Sequence, residues 1–96
     1  MTEQERPEGW PCLLSDEVAQ LLLSRAVSPA LFSAIIALTV VINETRGDAP
    51  GHTASDKWPE LRRVALGADG SLGVAEYVVV AYADEPHSVL TRVQPF

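Results

Sequence analysis

Ser28 and Pro29 open the longest apolar stretch of the chain, Ala30 to Ile42, and this stretch most constrains the fold. A serine hydroxyl accepts the first free amides of a helix, and proline at the first helical position has a preset φ and no amide to leave unpaired. The helix is expected to run from Pro29 to about Arg46, with Gly47 placed to end it. Its apolar residues Leu31, Phe32, Ile35, Ile36, Leu38 and Ile42 wrap more than one face. Such a helix is either buried nearly all round or carries a second apolar stripe for a partner. The stretch falls short of the roughly 20 residues a spanning helix needs, and Ser33 and Thr39 interrupt it, which argues against a membrane.

A second helix start precedes this one. Ser15 is followed by Asp16 and Glu17, a hydroxyl cap with acids in the first turn, and Val18, Leu21, Leu22 and Arg25 recur at helical spacing. This helix is expected from Asp16 to about Ala26. Trp10 to Leu14 reads as a short edge strand, with Pro11 tolerated near its start. Residues 1–9, charged and containing Pro7 and Gly9, read as a flexible tail ahead of one domain at 10–96.

Beyond Gly47 the helical period disappears. Residues 47–59, with Pro50, Gly51, His52, Asp56 and Pro59, read as a long loop. Strands follow at Leu61 to Leu66, Val74 to Ala83 and Ser88 to Gln94. Gly67 to Gly70 and Asp84 to Pro86 have turn composition. The Tyr, Val and Ala run of the middle strand marks it as central and covered on both faces. The expected class is α+β: a short N-terminal strand, two helices, then a three-stranded antiparallel meander packed on the helices.

Charge narrows the partners. Thirteen acids against seven Lys and Arg give a formal charge of −6, a field that opposes nucleic acid and anionic lipid and suits a basic protein surface. Hydrophobic residues at 47 % suffice for a core, yet a chain of 96 residues gains from burying further surface in a partner or in a homodimer. Cys12 is the single cysteine, so an internal disulfide and multi-cysteine zinc patterns are excluded. A lone thiol and an acidic, polar N-terminus point to the cytoplasm.

No nucleophile elbow, phosphate loop, zinc-protease or dinucleotide motif occurs, and His52 and His87 lack a second ligand at metal spacing. Neither cofactor nor metal is expected. Cys12, between Pro11 and Leu13, reads as a small hydrophobe. Glu76 stands out inside the most apolar strand: facing the core it requires a partner, and facing the open sheet surface it can pair with Arg62, Arg63 or Arg92 on neighbouring strands. By alternation it shares a face with Val78, Val80 and Tyr82, opposite Tyr77 and Val79. Lys57, Arg62, Arg63 and Arg92, if gathered with the two histidines, would form a basic constellation suited to general acid–base chemistry.

Three stretches resemble the RelE/ParE superfamily of small toxins: Leu13 to Ala19, Pro59 to Leu66, and Ala75 to Tyr82 with Val89 to Val93. The resemblance is to an outline covering most of the chain. It implies either ribosome-dependent mRNA cleavage, with Arg62, Arg63 and Arg92 as the basic residues, or gyrase poisoning, with a cognate antitoxin as partner. In the family an Arg usually stands where this chain has Glu76, and this chain ends in Phe96 without a terminal His, Arg or Tyr. The composition favours a different expectation: a small acidic binding module, inhibitor-like or accessory, that acts without catalysis. Its expected binding residues are Phe32, Ile36, Glu76, Tyr77 and Tyr82.

Overall fold

A computed structural model describes residues 9–96, so the expected tail, Gly9 apart, lies outside the described residues. In chain order the elements are β1 (Cys12–Leu14), α1 (Asp16–Leu23), α2 (Pro29–Glu44), β2 (Thr53–Ala54), β3 (Leu61–Leu66), β4 (Gly73–Val80) and β5 (His87–Pro95). The class is α+β, with two helices and one five-stranded mixed sheet ordered β1-β5-β4-β3-β2.

Both helices begin where the caps require. The Ser15 hydroxyl accepts from the Val18 amide at 3.2 Å, and that of Ser28 accepts from Leu31 at 3.1 Å. α1 stops at Leu23, short of Ala26, because Ser24 turns extended and its hydroxyl accepts the Ala26 amide at 2.9 Å. This local bond competes with another helical turn. α2 closes with two reverse bonds, Gly47 N–H to the Ile42 carbonyl and Arg46 N–H to that of Asn43. Arg46 holds a left-handed φ of 54° there, the place usually given to glycine. The Asn43 carbonyl also accepts the Trp10 amide, docking the chain entering β1 onto the end of α2.

β3, β4 and β5 form the expected antiparallel meander. Three features depart from the expectation. β1 joins the same sheet parallel to β5, and the 47–59 segment contributes the two-residue strand β2 beside β3. The middle strand also ends at Val80, whose partner His87 follows the amide-less Pro86. In β5, Tyr77 pairs with Leu90 but Glu76 pairs with Arg92, so Thr91 is an extra, bulged residue. Its hydroxyl donates to the Glu76 carbonyl at 3.2 Å, and its carbonyl accepts the Ser15 hydroxyl at 3.0 Å. The bulge shifts alternation by one: Ser88 and Leu90 face the core, then Val93 does, and Arg92 is turned to solvent.

The core lies between the helices and one sheet face. Val18, Leu31, Ile35 and Ile42 pack with Val64, Leu66, Ala75, Tyr77, Leu90 and Val93. The expectation that the middle strand is covered on both faces is therefore corrected. Among the described residues nothing covers its other face, where Val74, Glu76, Val78 and Val80 remain partly exposed.

The helix layer is fastened to the sheet at Gly47. Its carbonyl accepts the buried Tyr77 hydroxyl at 2.8 Å and an Arg62 Nη1–H at 2.6 Å. Gly47 holds φ +89°, and a Cβ there would stand 2.5 Å from a Val79 methyl. Gly47→Ala should therefore cost at least about 2 kcal/mol, from the left-handed backbone and overpacking together. Ser88, beside it, is fully buried and its hydroxyl has no hydrogen-bond partner among the described residues. Ser88→Ala should leave stability unchanged or raise it by up to about 1 kcal/mol, because it removes an unsatisfied group. Chemical denaturation of the two variants checks both signs.

Candidate interaction surfaces

Pairing register reveals how the uncovered sheet face is organised. Leu13 pairs with Val89, Val89 with Val78 and Val78 with Leu61, making one apolar row across four strands. A shorter row runs beside it, His87 opposite Val80, with Pro11 next to His87 on the β1 side. On the other side lies a charged row, Arg92–Glu76–Arg63, continued by Thr53 of β2. In it the Arg63 Nε–H donates to Glu76 at 2.6 Å, which answers what partners Glu76. Arg92 donates to the Gln94 side chain at 3.4 Å. Arg63, Val74, Glu76, Arg92 and Gln94 line a shallow recess of about 260 Å³.

At the opposite end of this face, Asp84 and Glu85 of the β4–β5 turn border a recess with Pro11, Leu13 and His87. The face is thus polarised: two arginines around one glutamate at one end, an apolar middle, and two carboxylates at the other end.

The second surface is the solvent side of α2. The core takes Leu31, Ile35, Leu38 and Ile42, so Phe32, Ile36 and Val40, four residues apart, form a line on the outside. They are 43 %, 40 % and 50 % exposed. No charged residue occurs from Pro29 through Asn43, so this line has no charged neighbour on its own helix until Glu44.

The expected site residues are dispersed. Phe32 and Ile36 lie on the α2 line, Glu76 lies in the charged row, and Tyr82 stands fully exposed in the β4–β5 turn. Tyr77 has no accessible surface and belongs to the core. Burial pushes its phenol above the ordinary value. Arg62 sits on the helix side at Gly47, whereas Arg63 and Arg92 flank Glu76 on the open side, so the three arginines do not share a face. His52 stays local, with Nδ1 at 2.7 Å from the Ala49 carbonyl and 3.7 Å from Asp48. Lys57 lies over the Trp58 ring, and His87 Nδ1 is 2.9 Å from the Glu85 carbonyl. Sequence reasoning missed Val40, Leu13, Val78 and Val89. Val40 was legible as the third member of the Phe32–Ile36 spacing, but the sheet row required knowing the register.

Among the described residues no group of three or more His, Cys, Asp or Glu could hold a metal ion, and no helix is long and apolar enough to cross a membrane. No protein-family model, curated protein or solved structure matches the chain.

Cys12 is half-buried against the core, and burial pushes its thiol up to about 11. The thiolate is the reactive form, so alkylation of the native protein by iodoacetamide should stay slow near pH 8 and accelerate with a midpoint near pH 11. Unfolding should move the midpoint down towards the ordinary value of 9.0. A native midpoint at or below that value contradicts the burial of the thiol.

Proposed function

We propose that this protein is a small acidic binding module that acts by protein–protein contact without catalysis, in the cytoplasm. The observation that carries the reading is the outer line of α2. Three bulky apolar side chains face solvent on a helix that bears no charge from Pro29 through Asn43. A solvent-facing helix surface ordinarily carries charged and polar residues, and a contiguous apolar stripe in their place marks a contact surface. Aromatic and branched side chains such as Phe32 and Ile36 suit the anchoring positions of an interface.

The sign of the partner follows from charge. With a formal charge of −6 overall, and with Glu44 and Asp48 exposed beside the end of α2, long-range attraction favours a basic rim around an apolar pocket. The arginines serve the fold or pair locally: Arg62 bonds the Gly47 carbonyl and Arg63 bonds Glu76. A nuclease of RelE type would need them gathered on one accessible face, so the contact reading is favoured over the mRNA-cleaving form of the toxin reading.

A photo-crosslinking residue placed at Ile36 tests this in the native host, with the same residue at Asp69, in the exposed β3–β4 turn, as control. A distinct partner protein should crosslink at position 36 and not at 69, and the yield should fall with salt. Ile36→Lys should abolish capture while changing folding stability by no more than about 0.5 kcal/mol, because the site is exposed. Equal labelling at both positions, or none at 36, contradicts the reading.

A further inference from the structure

We propose that the uncovered sheet face is the interface of a homodimer in which two copies stack face to face. This goes beyond the reading above, which concerns α2. The first ground is the apolar row Leu13–Val89–Val78–Leu61, which lies on a sheet layered on one side only. A half-buried sheet normally presents polar residues to solvent, and this row does not.

The second ground decides the occupant. The charges on the face are arranged so that the face complements itself. Consider a two-fold axis lying in the plane of the interface, parallel to the apolar row and between it and the His87–Val80 row. Rotation about that axis reverses the face end for end along the strands. The apolar row of one copy then falls on the Pro11–His87–Val80 row of the other. The end bearing Arg63 and Arg92 falls over the end bearing Asp84 and Glu85, and the reverse contact forms by symmetry. A C2 contact must be self-complementary in this way. Anionic lipid and nucleic acid would meet Asp84 and Glu85 with the wrong sign.

Size and geometry fit a weak dimer. With the axis beside the His87–Val80 row, overlap is limited to the rows from Glu76 to the β4–β5 turn, and β1 and β2 are only three and two residues long. The footprint is therefore roughly 400 Å² per copy before side-chain relief, about half the roughly 800 Å² of a standard interface. Aligned sheets pack about 10 Å apart, so the dimer would be a four-layer sandwich, helices outside and sheets inside. The two α2 lines would then face outward on opposite sides, giving a bivalent molecule.

Sedimentation equilibrium of the full chain, from about 1 µM to about 500 µM, tests the proposal. A concentration-dependent monomer–dimer equilibrium is expected, weakened about tenfold or more between about 0.05 M and about 0.5 M salt. Arg92→Glu makes both ends of the face acidic, and Asp84→Lys with Glu85→Lys makes both ends basic. Each variant, shown folded by circular dichroism, should be monomeric alone, and an equimolar mixture should form a heterodimer. The lysine variant changes only exposed turn residues, so it remains informative if Arg92→Glu fails to fold. A wild-type monomer throughout the range would overturn the proposal. So would dimers that persist in the lysine variant, or dimers lost in Ile36→Lys but kept in the lysine variant. The crosslinking at position 36 is independent of these results, so the two proposals can fail separately.

Discussion

The carbonyl of Gly47 is the point on which the architecture turns. It lies just past the end of α2 and accepts two strong donors from the sheet, the Tyr77 hydroxyl and an Arg62 guanidinium N–H. A single backbone oxygen thereby fixes the helix layer to β3 and β4 at once. Only glycine suits the place, since the left-handed φ and the Val79 methyls leave no room for a Cβ. Once the helix end is held there, the rotation of α2 is set. Leu31, Ile35, Leu38 and Ile42 turn inward, and Phe32, Ile36 and Val40 turn outward.

The same fastening explains why the other sheet face is open. Two helices cover one face of five strands, and the described residues offer no second layer. The open face is built around Glu76, whose partner Arg63 lies directly across the strand pair. The Thr91 bulge is essential to that arrangement. Without the extra residue, strict alternation after Ser88 and Leu90 would send Arg92 into the core. With it, Val93 takes the core position and Arg92 joins the charged row. One inserted residue thus sets the charge pattern of a whole surface.

Local chemistry was legible where one residue decides the outcome. Ser15 and Ser28 mark both helix starts, and β3 runs from Leu61 to Leu66 as its composition indicates. The opposite facing of Glu76 and Tyr77 also follows from alternation. Features that depend on distant partners were not legible. β2 is two residues held by pairing with Arg62 and Arg63, and β1 lies parallel to β5, the last strand of the chain. Tyr77 was expected among the binding residues, but the Gly47 carbonyl gives its hydroxyl a partner inside the core. The burial of β4 on one face depends on how many layers the chain can supply, which its apolar composition does not reveal.

In the proposed assembly the sheet face closes on a second copy while the α2 line stays open for another protein. Methyl NMR with a soluble gadolinium chelate reads both surfaces in one sample. At low concentration the methyl signals of Val78, Val89 and Ile36 should all broaden. As concentration rises, Val78 and Val89 should become protected while Ile36 stays fully accessible. Protection of Ile36 with continued exposure of Val78 and Val89 would contradict the account, and so would no change at either surface.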